Sequence, residues 1–190
     1  MTDHPVTQLS SWVAQQTQEF SLEFSKYVYR SYGETLSREV FTVPARTVNA
    51  EWLSDQVNKL TYEQELAFHS RVRLSNDKVC HVPLIDFIYV KSPEEVHHKL
   101  VPVNKEIYHN PTFYGTGNSL HGYYFCLLGE ERWRNFLGQI LLCNYPPHAG
   151  DEVVDSRWVG HSLIHGFSAL RWSRKTDKYK AVPSLAGYPK

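Results

Sequence analysis

The sequence predicts an α+β fold: a mostly antiparallel sheet covered by helices on one face, with a helical unit at the N-terminus. Three observations carry this. Ala67–Leu74 alternates Phe68, Ser70, Val72 and Leu74 on one side with Ala67, His69, Arg71 and Arg73 on the other, the period of a strand. Val79–Val90 is apolar on both faces apart from His81 and Asp86, as a central strand is. Apolar residues instead recur close to helical spacing at Leu9, Val13, Phe20, Phe24 and Tyr27, and again at Trp133, Phe136, Leu137, Ile140 and Leu141.

In chain order, Val6–Tyr32 reads as one long amphipathic helix with Gly33 at its stop. Glu34–Thr47, interrupted by Pro44, reads as extended chain or loop. Asn49 is placed to cap a second helix, Ala50–Leu60, with Trp52, Leu53, Val57 and Leu60 facing inward. Residues 1–62 therefore read as a helical unit packed on a core of residues 63–190. Ser75-Asn76-Asp77-Lys78 is a hairpin turn between the first two strands. Ser92-Pro93-Glu94-Glu95 opens a helix, with proline at the first position and acids in the first turn, and Pro102 is expected to bend or break it. Phe113–Leu128 begins with the glycine-spaced loop Gly115-Thr116-Gly117-Asn118 and presents Ser119 and His121 on one strand face. It then runs into the apolar segment Tyr123–Leu128. A helix follows from Gly129 through Cys143, ended by Asn144-Tyr145-Pro146-Pro147. Val153-Val154-Asp155 is a short strand, Trp158–His165 a short helix or turn, and Phe167–Trp172 a strand. After the first helices the order is β-β-α-β-β-α-β.

With 190 residues, 42% of them hydrophobic, the chain is long enough for one compact domain. Its 20 basic side chains balance 20 acidic ones, which excludes a uniformly basic nucleic-acid binder. A local basic groove is still available, because Arg171, Arg174, Lys175, Lys178 and Lys180 face only Asp177 in one stretch. Cys80, Cys126 and Cys143 are an odd number, widely spaced in apolar runs. They read as buried thiols in a reducing, cytoplasmic setting. No apolar run reaches the ~18 residues of a membrane span. His97 and His98 are adjacent and cannot share one helix face, so a histidine-based metallohydrolase has no support.

Three polar signals remain. Asp86 sits inside Leu84-Ile85-Asp86-Phe87-Ile88, where a carboxylate is costly unless paired, hydrogen-bonded or bound to metal. Asp155 closes a second apolar run and is equally an ordinary helix cap. Ser119 and His121 are the third. Two acids at strand ends are oxygen donors of the kind that hold Mg²⁺ or Mn²⁺, and a nearby His, Ser and basic stretch suit a triphosphate.

An aspartate in an apolar strand, then Ser-x-His leading an apolar strand, then an apolar-Asp element, in that order, resembles the archaeo-eukaryotic primase superfamily of primase-polymerases. The third block is the fullest. Val154-Asp155, His161-Ser162-Leu163-Ile164, Phe167-Ser168 and Arg171–Thr176 with its Lys-Thr look like the small catalytic subunit of DNA primase. The resemblance runs from about Leu66 to Asp177. It implies an RRM-like sheet joined to a smaller α/β unit, with Asp86 and Asp155 as catalytic ligands of Mg²⁺ or Mn²⁺. It also implies that Ser119 and His121 contact the phosphates of a nucleoside triphosphate, and that Arg171 and Ser173 lie near that nucleotide. Arg174, Lys175 and Lys178 then read as a path for a DNA or RNA template. In a chain this small, template grip calls for a partner protein or a second copy.

One position departs from the family pattern. Its first motif carries two acids two residues apart, and here the second is Ile88. Asp77, Glu106, Asp151 and Glu152 are the acids that spacing leaves open as substitutes. Two functions follow: nucleotidyl transfer to a nucleic-acid chain, or a primase-like module that grips nucleotide or nucleic acid without extending it.

Overall fold

The computed structural model describes residues 3–28, 38–107, 110–145 and 152–187. Its elements are α1 (Pro5–Ala14), β1 (Phe20–Val28), β2 (Arg38–Pro44), α2 (Ala50–Asn58), β3 (Gln64–Leu74), β4 (Val79–His81), β5 (Leu84–Asp86) and α3 (Glu94–Ile107), then β6 (Thr112–Gly115), β7 (Leu120–Tyr123), β8 (Leu128–Gly129), α4 (Glu130–Leu142), α5 (Ser156–His165), β9 (Ala169–Arg171) and β10 (Ser184–Gly187). They form two sheets. The first has the order β2-β1-β3-β4-β8 with β9 also paired to β3, and the second the order β10-β6-β7-β5.

The long N-terminal helix is not formed. Helix α1 stops at Ala14, and Phe20–Val28 is a strand between β2 and β3. Phe20, Phe24 and Tyr27 satisfy a helical repeat, but Phe20, Leu22 and Phe24 equally satisfy a period of two, and all three of these are buried. Each buried side chain of this kind contributes about 1.5–3 kcal/mol, and only pairing with β2 and β3 buries them together. Residues 1–62 thus include two strands as well as helices, and the expected stop at Gly33 lies outside the described residues. Asn49 does cap α2, its Oδ1 accepting the Trp52 N–H at 2.9 Å.

Val79–Val90 is likewise not one strand. It leaves the first sheet after His81 and enters the second at Leu84, turning at Val82-Pro83. Proline has no N–H to give to a ladder. The chain crosses back beyond Tyr123, so within the apolar segment Tyr123–Leu128 residues 124–127 connect β7 to β8 rather than continuing a strand, and the Tyr124 N–H donates to the Pro83 carbonyl at 3.0 Å. Helix α3 runs through Pro102 without ending. Val96, Leu100, Val103 and Ile107 form its buried stripe, and that burial outweighs one missing hydrogen bond. Helix α4 spans nearly the predicted range, and the prolines expected to end it lie outside the described residues.

Phe87 forms an antiparallel bridge with Val154, which sets the 153–155 segment beside β5. Apart from β8, which pairs with β4 in the first sheet, the order from β5 to the 153–155 segment is therefore β-α-β-β-α-β, with the spatial order Val154, β5, β7, β6. This is the split βαβ arrangement of an RRM-like sheet. One face, with Ile85, Phe87, Phe113 and Val154, packs into a core shared with α3, α4 and α5. The other, with Leu84, Tyr114 and Tyr123, joins Phe24, Phe68 and Trp172 of the first sheet in a second core. The cysteines are free, Cys80 and Cys143 buried and Cys126 half-buried. No helix among the described residues is long and apolar enough to cross a membrane.

Candidate functional site

The site grows out of strand register. Asp86 at the end of β5 pairs with His121 of β7. On its other side, the Asp155 N–H donates to the Asp86 carbonyl at 3.0 Å and the Ile88 N–H donates to the Val153 carbonyl at 3.0 Å. These two bonds flank the Phe87–Val154 pair, so Asp155 stands directly opposite Asp86. Residues opposite one another share a face, with Cβ atoms ~5 Å apart. His121, Asp86 and Asp155 therefore form one row across three neighbouring segments.

The electrostatics of the row are unusual. Among the described residues no donor bonds the Asp86 carboxylate; His121 holds its Nε2 3.7 Å from Oδ1. The surrounding protein pushes Asp86 up to about 7, helped by the charge of Asp155 and opposed by that of Arg171. Its side chain is still 33% exposed, so a solute can reach it. His121 is buried and held neutral, pushed down to about 3 by burial and then by Arg171. Its Nδ1 is buried without a hydrogen bond.

Asp155 is an N-cap as well as a member of the row. Its Oδ1 accepts from the N–H groups of Arg157 at 3.0 Å and Trp158 at 3.3 Å, starting α5. That leaves Oδ2 free of hydrogen bonds among the described residues. Among the described residues no group of three or more His, Cys, Asp or Glu side chains is arranged to hold a metal. The donor set, the unbonded Asp86 carboxylate and the unbonded Oδ2 of the residue opposite it, fits a single divalent cation that draws its remaining ligands from water or phosphate. It does not fit two cations held by protein alone.

Ser119 lies just before β7, in the β6–β7 hairpin rather than on the strand. Its N–H and carbonyl bond Thr116, and its Oγ accepts the Val90 N–H at 3.2 Å. Ser119 therefore pins the chain that follows Asp86. The hairpin turn needs Gly117, whose φ is +89° and whose added Cβ would meet Lys180 Cβ at 2.7 Å.

Arg171 is buried at the end of β9. It donates to the carbonyls of Ser173 and, at 3.0 Å, Ala181, and its Cζ lies 4.0 Å from the Tyr179 ring centroid. Ser173 is buried, donating to Glu65 and accepting the Leu66 N–H at 2.8 Å. Glu65 is the residue that sequence reasoning missed. It is buried in β3 and also accepts from Lys175 N–H, Thr176 N–H and Thr176 Oγ1, so it fastens the 173–176 loop to the sheet. Its signal in the sequence is its place two residues before Ala67, in step with Ala67, His69 and Arg71 on one strand face. Arg174, Lys175 and Lys178 are exposed beside this loop. Of the substitute acids, Glu152 is exposed next to the row and Asp77 is in the distant β3–β4 turn. Asp151 and the Glu106 side chain lie outside the described residues.

No curated protein matches the chain. A family model does, over residues 44–184, most of the sequence, and its description is archaeo-eukaryotic primase 1D-like. That span takes in β3, the whole RRM-like unit and every member of the row. The chain belongs to the archaeo-eukaryotic primase family, in its primase 1D-like branch.

Proposed function

We propose that the chain is a primase-polymerase-like nucleotidyltransferase that joins nucleotides to a nucleic-acid chain with Mg²⁺ or Mn²⁺. The observation that carries this reading is the row His121–Asp86–Asp155, in which two acids stand opposite each other and the one ion-pair partner among the described residues, Arg157 Nε, lies 3.7 Å from Oδ1 of Asp155 and leaves Oδ2 free. The cation would neutralise triphosphate charge and favour attack by a 3′-hydroxyl. Asp86 and the free oxygen of Asp155 would hold it. His121, neutral and with its Nε2 edge toward Asp86, would donate to a phosphate oxygen. Arg171 supplies a fixed positive potential that already acts on both Asp86 and His121. Ser119 and Ser173 act by fastening the segments around the nucleotide, and Arg174, Lys175 and Lys178 offer a basic surface to a DNA or RNA template.

Ile88 favours a second reading, a nucleotide-binding module without transfer, because an apolar side chain follows where a second acid would complete the motif. One experiment separates the two. Mn²⁺ and a nucleoside triphosphate are titrated into the protein, and primer extension is assayed on the same preparation. Binding that needs Asp86 together with extension supports the transferase. Binding without extension selects the module, and no binding at all rejects both.

A further inference from the structure

Helix α5 carries Asp155 as its N-cap, yet little in its own sequence favours a helix. Of its ten residues only Arg157 and Leu163 are good helix formers; Gly160, Val159, Ile164, two serines and two histidines are not. Ten residues is also too short for a helix to persist on propensity alone. Its packed side is narrow: Val159 and Ser162 are buried, Trp158 is half-buried, and a Cβ added at Gly160 would meet nothing within 4 Å. The ends are held, by the Asp155 cap and by Arg71, whose Nη2 donates to the carbonyls of His165 at 3.3 Å and Gly166 at 3.2 Å.

His161 and His165 are both exposed. Four residues apart, they stand on one face across the last turn. Their ring centroids are 6.0 Å apart, with 6° between the ring planes. Among the described residues no hydrogen bond or ion pair engages either imidazole. An ion about 2.0–2.1 Å from one nitrogen of each ring holds the centroids at most about 6.4 Å apart. The observed spacing is inside that reach, and rotation of the two exposed rings aims their nitrogens at a common point. Imidazole suits zinc, copper or nickel, whereas the oxygen donors of the row at Asp86 suit magnesium or manganese. His161 is six residues along from Asp155, about 9 Å down the axis, so one ion does not serve both places. No third protein ligand joins the pair among the described residues, and water completes the sphere.

We infer that His161 and His165 form a binding site for a divalent transition-metal ion such as Zn²⁺, which clamps the last turn of α5 and steadies the helix whose first turn Asp155 caps. The inference goes beyond the proposed function and needs neither nucleotide nor nucleic acid. The site is a clamp on a helix and not a catalytic centre.

The test is titration calorimetry of the full chain with Zn²⁺, in excess Mg²⁺ to occupy the row, followed by amide hydrogen exchange. One Zn²⁺ is expected to bind per chain. His161→Asn and His165→Asn should each weaken it about 100-fold, as chelation becomes attachment through one ligand. Both side chains are exposed, so neither variant should lose the fold. Asp86→Asn should leave the affinity unchanged. Opening of α5 breaks the chelate, so Zn²⁺ at ten times Kd should slow amide exchange across residues 162–165 about 10-fold. His165→Asn combined with Leu163→His keeps two imidazoles but takes them off a shared face, and should not restore binding. Absence of Zn²⁺ binding, binding that survives either single variant, or binding that Asp86→Asn abolishes overturns the inference. So does binding that leaves exchange in α5 unchanged, or wild-type affinity in the combined variant.

Discussion

Asp155 donates its backbone N–H to the carbonyl of Asp86 at 3.0 Å, and this bond sets the two acids directly opposite each other on neighbouring segments. A sheet normally avoids like charges directly opposite, because each such pair is destabilising. Here the repulsion is part of what pushes Asp86 upward. Without metal, Asp86→Asn should therefore raise the unfolding free energy at pH 8, by about 1 kcal/mol once solvent screening of a partly exposed group is allowed for. The same change should remove the stabilisation by Mn²⁺, worth ~1.4 kcal/mol at ten times Kd in the wild type. Thermal unfolding with and without Mn²⁺ reads both effects. A destabilised variant would mean that Asp86 is a structural acid.

Tyr89 has φ +61° and is largely exposed. A bulky residue in the left-handed region costs ~1–2 kcal/mol. The flanking bonds explain why it stays there: Ile88 is tied to Val153 and Val90 to Ser119. The strain thus sits in the segment just after Asp86, where functional sites commonly store it. Tyr89→Gly should raise stability by about 0.5–1 kcal/mol in urea unfolding, the gain reduced by the flexibility of glycine in the unfolded chain. A loss of similar size would show that the ring itself is held by contacts.

His4 should make stability depend on pH. Its Nε2 donates to the Trp172 carbonyl at 2.8 Å, while Nδ1 accepts the Val6 N–H at 3.1 Å and caps α1. That arrangement needs neutral imidazole, and burial pushes the group down to about 4 from 6.5. Between those values the unfolded chain binds the proton and the folded one does not, so stability rises with pH. The contribution, ~3 kcal/mol, is complete above pH 6.5 and is lost as pH falls toward 4. Buried His69 and His81 are shifted in the same direction, so the comparison must be differential. His4→Asn, which can still cap, should lose less stability than wild type between pH 7 and pH 4.5. Equal losses would reject the assignment to His4.

The reach of the sequence can be judged from particular residues. Asp86 was legible because a carboxylate among Leu84, Ile85 and Phe87 is anomalous wherever the strand lies. The caps at Asn49 and Asp155, the helix α4 and, apart from β8, the order of elements from β5 to β9 were legible because they are local. Three features were not. The Phe20–Tyr27 repeat suits either period, and only pairing with strands far away in sequence decides it. The crossing between sheets at Val82-Pro83 is likewise set by partners, Ser70 and Tyr124, that no short window contains. Glu65 escaped for the same reason, since the loop it holds lies more than a hundred residues later.

Ile88 separates the two readings most directly. The backbone from Asp86 to Ile88 continues antiparallel to 153–155 beyond the end of β5, so alternation returns Ile88 to the side of Asp86. Ile88 is half-buried there, and an acid in its place would reach solvent and the row together. Ile88→Asp should then tighten Mn²⁺ binding about 10-fold or more, as a third carboxylate joins the pair. Without metal it should cost a few kcal/mol, roughly 1–3, from desolvation and repulsion by the other two acids. Stability should consequently respond to Mn²⁺ more steeply in the variant than in wild type. Primer extension that appears or rises in the variant would mean that Ile88 is what limits transfer. Extension already strong in wild type would mean that one cation and two acids suffice. A variant that is less stable, with Mn²⁺ affinity unchanged, would show that the row at Asp86 is no metal site, and the proposed function would fall with it.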